Sequence, residues 1–100
     1  MVKITLLCNA GMSTSLLVTK IREAAVKEGF ECEVEAHAAA EATTEAKNSD
    51  IVLLGPQIRY NLSKIRGQLP GIPVECIDPT CYGTMNGAGV IKQVKQILSL

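Results

Sequence analysis

The chain has no tryptophan, one phenylalanine and two tyrosines, and its ten acidic residues cancel its ten basic ones without forming a basic run. A surface so poor in aromatics and positive charge supports neither phosphate-backbone binding nor base stacking, so nucleic acid is not an expected partner. No apolar run approaches the ~20 residues of a membrane-spanning helix. The N-terminus, with one lysine and a short apolar run, is too short for the apolar region of a signal peptide. A soluble, cytoplasmic protein without membrane insertion is expected. The four cysteines, Cys8, Cys32, Cys76 and Cys81, contain no C-x-x-C pair, and a cytoplasmic domain of this size needs no disulfide framework. With the lone His37 they match no common zinc spacing, so neither a metal nor another cofactor is expected. What remains is one domain, residues 1–100, with 47% hydrophobic residues, enough for a single core.

The informative stretch is Lys3–Ser15, KITLLCNAGMSTS. Ile4–Leu7 reads as a buried strand that delivers Cys8 into a loop, and Leu16 onward reads as a helix. Backbone N–H groups at a helix start lack intrahelical partners, and the helix dipole adds positive charge there, so anions such as phosphate bind. The same terminus favours thiolate over thiol, and the thiolate is the nucleophile. The residues expected to cradle a phosphoryl group are Asn9, Ala10, Gly11, Met12, Ser13, Thr14 and Ser15, through their N–H groups, with the Ser13, Thr14 and Ser15 hydroxyls as further donors. The competing reading makes Cys8 a small hydrophobe at a strand end.

Along the rest of the chain, Leu17, Ile21, Ala24 and Ala25 mark an amphipathic helix stopped by Gly29. Glu31–His37 alternates, with Cys32, Val34 and Ala36 on one face, as an edge strand does; His37 and the glutamates read as solvated surface without a role. Ala38–Lys47 suits a weakly held helix by propensity. Ile51–Leu54 is a central strand closed by Gly55-Pro56. Ile58, Leu62, Ile65 and Leu69 predict a helix from Gln57 to Pro70-Gly71. Pro73–Ile77 is a short edge strand, residues 78–87 are turn-rich, and Val90, Val94, Ile97 and Leu98 mark a last helix. A βαβαβαβα pattern predicts an α/β fold with a parallel sheet and helices on both faces. Placing the two fully apolar strands in the middle gives the strand order 2-1-3-4. The order then reverses between strands one and three, where the Cys8 loop and the Gly55-Pro56-Gln57 loop open onto one crevice.

A cysteine in such a strand, loop and helix resembles low-molecular-weight tyrosine phosphatases and related arsenate reductases, which carry Cys-x5-Arg followed by Ser or Thr. Here the sixth position is Thr14, so the guanidinium that stabilises the departing phosphoryl charge is missing. Asp78-Pro79 matches the dipeptide in which those phosphatases hold their general acid; the plainer reading of Asp78 is a turn residue before proline. LLCNAGMSTSLLV (6–18), VLLGPQIRY (52–60) and PVECIDPTCYGTMNGAGV (73–90) resemble the IIB component of the lactose/cellobiose class of the phosphoenolpyruvate-dependent sugar phosphotransferase system, over essentially the whole chain. That resemblance implies a phosphoryl carrier with the phosphatase-like fold. Cys8 would accept a phosphoryl group from a phosphohistidine of a IIA component and pass it to a disaccharide bound by a membrane IIC component. Both contacts would be transient, and the chain itself a monomer. Gln57, Tyr60 and Tyr82 are candidates for the crevice or the docking face; for the tyrosines, half-buried packing is the other reading. A cysteine phosphatase or arsenate reductase is the alternative activity, and a redox or anion-sensing module the alternative class.

Overall fold

The computed structural model describes residues 1–9 and 11–100, with the backbone alone at 11–13. Among these, β1 (Val2–Cys8) lies between β2 (Cys32–Ala38) and β3 (Ile51–Leu54), and β4 (Val74–Cys76) adds to β3. All pairings are parallel, and the order is the expected 2-1-3-4. The central position of β1 and β3 follows from their composition. A parallel strand covered on both faces is apolar at successive positions rather than alternate ones, and Ile51–Leu54 is buried throughout.

Period-2 alternation divides the interior in two. Ile4, Leu6, Ile51, Leu53 and Val34 meet Leu17 and Ile21 of α1 (Gly11–Glu28) and Val90 and Val94 of α5 (Gly87–Leu98). Leu7, Val52, Leu54 and Val74 meet Ala42 of α2 (Ala42–Glu45) and Ile65 of α3 (Leu62–Gln68). Helices therefore cover both faces of the sheet. Thr5, buried between them, hydrogen-bonds the equally buried Ser49, which removes the cost of an unpaired hydroxyl. Each edge strand also has a carbonyl occupied by an arginine: Arg22 donates to Val34 O at 2.7 Å and Arg66 to Val74 O at 3.0 Å.

The structure corrects four expectations about elements. The helix expected over 38–47 shrinks to a 3-10 turn, Ala39–Glu41, and the single turn of α2. Its Ala42 and Ala46 are buried, but an alanine methyl removes little area from water, so packing does not extend the element. The third helix opens as a 3-10 segment, Pro56–Asn61, because Ile58, fully buried, takes a non-helical backbone; α-helix begins only at Leu62. The turn-rich segment contains α4 (Pro79–Gly83). Finally, α1 begins at Gly11 rather than Leu16, so Thr14 and Ser15 lie in its first turns instead of a loop.

Candidate functional site

Cys8 is the last residue of β1, and only Asn9 and Ala10 separate it from the first residue of α1. It is 4% exposed, and neither it nor the half-buried Cys32, Cys76 and Cys81 forms a disulfide. The 18-residue α1 carries no acidic side chain in its first turn, so no carboxylate competes there with an external anion. Burial pushes the Cys32 thiol up, and burial together with the charge of Asp78 does the same for Cys81. Those two are correspondingly poor nucleophiles.

The loop after β3 closes against β1: Gly55 N–H donates to Leu7 O at 2.9 Å, and Gly55 itself is buried. A β-carbon on Gly55 would lie 2.8 Å from Gln57 Oε1 and 3.5 Å from Cys8 Cβ, so the Gln57 amide folds back over the glycine beside the thiol-bearing residue. Gln57 Nε2 donates to the Tyr82 hydroxyl at 3.0 Å, and that hydroxyl lies 3.5 Å from Thr14 Oγ1. Thr14 is 1% exposed. Three separate elements thus meet at one phenol oxygen. Asp78 is occupied elsewhere: its side chain caps α4 by accepting from Thr80 N–H at 2.8 Å, and its backbone N–H donates to Gln93.

On the other side of Cys8, a cleft of about 200 Å³ is lined by Cys8, Asn9, Ser15, Ala36, His37, Ala38 and Glu41. Sequence reasoning assigned no role to His37 and read it as solvated, yet its side chain is only 24% exposed. Its ring sits 3.2 Å from Glu35 and 4.0 Å from Glu45. The signal for this placement was the strand order. A β2 that runs parallel to β1 in register, Cys8 opposite Ala38, must end at the same cleft. Glu41 was missed for a different reason: its carboxylate turns back to accept from Ala38 N–H at 3.1 Å, a turn that appears only once the expected helix is broken.

Of the expected site residues, the structure brings together Cys8, Asn9, Thr14, Ser15, Gln57 and Tyr82. Tyr60 stands apart, 74% exposed on the 3-10 segment. Ala10 lies outside the described residues, as do the side chains of Met12 and Ser13, while Gly11 is placed as the first residue of α1. No group of three or more His, Cys, Asp or Glu side chains among the described residues is arranged to hold a metal ion, and no helix is long and apolar enough to cross a membrane.

Comparison with known proteins establishes the family. The family model for the lactose/cellobiose-specific IIB subunit of the PTS system matches residues 3–93. The chain is 41% identical to the oligo-beta-mannoside-specific EIIB component of Bacillus subtilis, across 100% of this chain and 96% of that one. It is 34% identical to the cellobiose-specific EIIB component of Lactococcus lactis, across 96% and 95%. Among solved structures, the cellobiose-specific IIB component of Borrelia burgdorferi superposes with a TM-score of 0.80 at 36% identity, covering 98% of this chain and 92% of that one. The lactose-specific IIB domain of Streptococcus pneumoniae shares the fold, with a TM-score of 0.84 at 17% identity over 95% of each chain. The chain therefore belongs to the lactose/cellobiose-specific IIB family, and it is a phosphotransferase component of sugar uptake.

Proposed function

We propose that Cys8 is the phosphoryl carrier of this component. The observation that carries the reading is position: Cys8 ends the central strand at the point where strand order reverses, directly before an 18-residue helix with no acidic residue in its first turn. The Cys8 thiolate attacks the phosphorus of a phosphohistidine on a IIA component. The P–N bond breaks, a P–S bond forms, and the histidine leaves as imidazole. In the second step a sugar hydroxyl held by the membrane IIC component attacks the same phosphorus. The hydroxyl proton passes to water, and the cysteine leaves as thiolate. Backbone N–H groups from Asn9 to Ser15 and the α1 dipole hold the phosphoryl oxygens in both steps, with the Ser13, Thr14 and Ser15 hydroxyls as further donors.

Both partners take a group from, or give it to, one buried atom, so each docks over the same small surface. Its interfaces are at the small, transient end of the range. The chain acts as a monomer on the cytoplasmic side, and the sugar is chosen by IIC. The relatives named for oligo-beta-mannoside, galactose and cellobiose fit one carrier design serving several sugars.

A phosphatase reading is disfavoured by two side chains. The position of its arginine is the buried Thr14, and Asp78, the match to its general acid, caps a helix. The test is intact mass spectrometry after incubation with phosphoenolpyruvate, the general phosphocarrier proteins and a IIA component. One added phosphoryl group on the protein and none on Cys8→Ser is expected; an adduct that survives in Cys8→Ser contradicts the assignment.

A further inference from the structure

We propose that Tyr82 is a positioning residue for phosphoryl transfer, acting as a tie between the start of α1 and the loop after β3; this rests on the carrier role of Cys8. The phenol oxygen accepts from Gln57 Nε2 at 3.0 Å and lies 3.5 Å from Thr14 Oγ1, a pair in which either hydroxyl can donate. Thr14 is the sixth residue after Cys8, buried in the first turns of the helix proposed to hold the phosphoryl oxygens. Gln57 is an exposed residue on a flexible stem, and without a partner its amide would sample several rotamers. Tyr82 removes that freedom, and the amide's other end, Oε1, is then held over Gly55 beside Cys8.

The tyrosine is itself anchored from both sides. Its ring packs against the first core, and the backbone N–H of Tyr82 donates to Asp78 O at 3.0 Å at the start of α4. The capping carboxylate of Asp78 and Pro79 at the helix start fix the direction in which α4 leaves the sheet. The Asp-Pro dipeptide thus acts on the site through Tyr82 rather than as an acid. Tyr82 acts through Gln57 and Thr14 rather than on the phosphoryl group itself, and misplacement of such groups slows transfer without weakening partner binding.

The experiment measures single-turnover transfer from phosphorylated IIA to Cys8 as a function of IIA concentration, for wild type, Tyr82→Phe, Gln57→Ala and the double variant. Tyr82→Phe keeps the ring that packs in the core, and Gln57 is exposed, so neither change threatens the fold. The limiting rate is expected to fall roughly three- to tenfold in each single variant, the range of one lost hydrogen bond. The half-saturating IIA concentration is expected to stay unchanged, and the double variant to be no slower than the slower single one. An unchanged limiting rate in Tyr82→Phe, a rise in half-saturating concentration in place of the rate loss, or multiplying effects in the double variant each overturn the proposal. A wild-type protein that gains no phosphoryl group on Cys8 overturns the carrier reading itself, a result distinct from any of these.

Discussion

At the scale of single residues, Gly55 connects the two loops of the site. Its missing side chain leaves room for the Gln57 amide, which would stand 2.8 Å from an added β-carbon. Gly55→Ala is expected to push that amide off Tyr82 while leaving the backbone in place, since the obstructing atom is the far end of a flexible chain. Phosphoryl transfer to Cys8 should slow about as much as in Gln57→Ala, with the melting temperature nearly unchanged; normal transfer in Gly55→Ala would contradict the placement of Gln57. The residues of this network were legible in the sequence one at a time, Cys8 from its strand and helix context and Gln57 and Tyr82 from the turns that follow strands. Their meeting at one hydroxyl was not, because it depends on where α4 leaves the sheet. His37 was misread because alternation along a strand reports the two faces of a sheet, not what the neighbouring turn contributes: Glu45 of α2 reaches its ring only after the chain turns back.

At the scale of elements, the contact of α5 with α1 depends on Gly87. A β-carbon there would overlap the backbone carbonyl of Lys20 and lie 2.7 Å from Ile21 N. Backbone cannot move aside as a side chain can, so Gly87→Ala should cost about 1–3 kcal/mol, the range of overpacked sites. Urea unfolding of the variant measures this, and an unchanged midpoint would show that α5 can shift on α1. Gly87 lies in the turn-rich stretch before the last periodic residues, and nothing local announces its contact with α1. The strands, together with α1 and α5, were readable from period and composition because burial dictates both. The short helical elements were not. The Ala38–Lys47 helix gave way because alanines supply propensity with little buried area, and the start of the third helix gave way to the burial of Ile58. Asp78-Pro79-Thr80, read as a turn, carries the capping residue and first-turn proline that begin α4.

At the scale of the whole molecule, strand order decides where chemistry can occur. Two apolar central strands and two interrupted edge strands permitted the order 2-1-3-4 to be inferred before any contact was known, and this order sets β2 and β3 on either side of β1, which ends at Cys8. With zero formal net charge, long-range attraction does little to recruit partners, so recognition rests on the local shape around Cys8. The central claim is that the phosphoryl group waits on Cys8 for an acceptor instead of being released to water, as expected where Thr14 replaces an arginine. The most direct measurement loads the protein with phosphoryl groups, removes the donor, and follows the phosphorus NMR signal of the adduct with and without membranes containing IIC and its sugar. The account predicts a signal that persists for minutes alone and passes to sugar phosphate when the acceptor is added. Steady appearance of inorganic phosphate in the absence of acceptor would contradict it and make the protein a phosphatase.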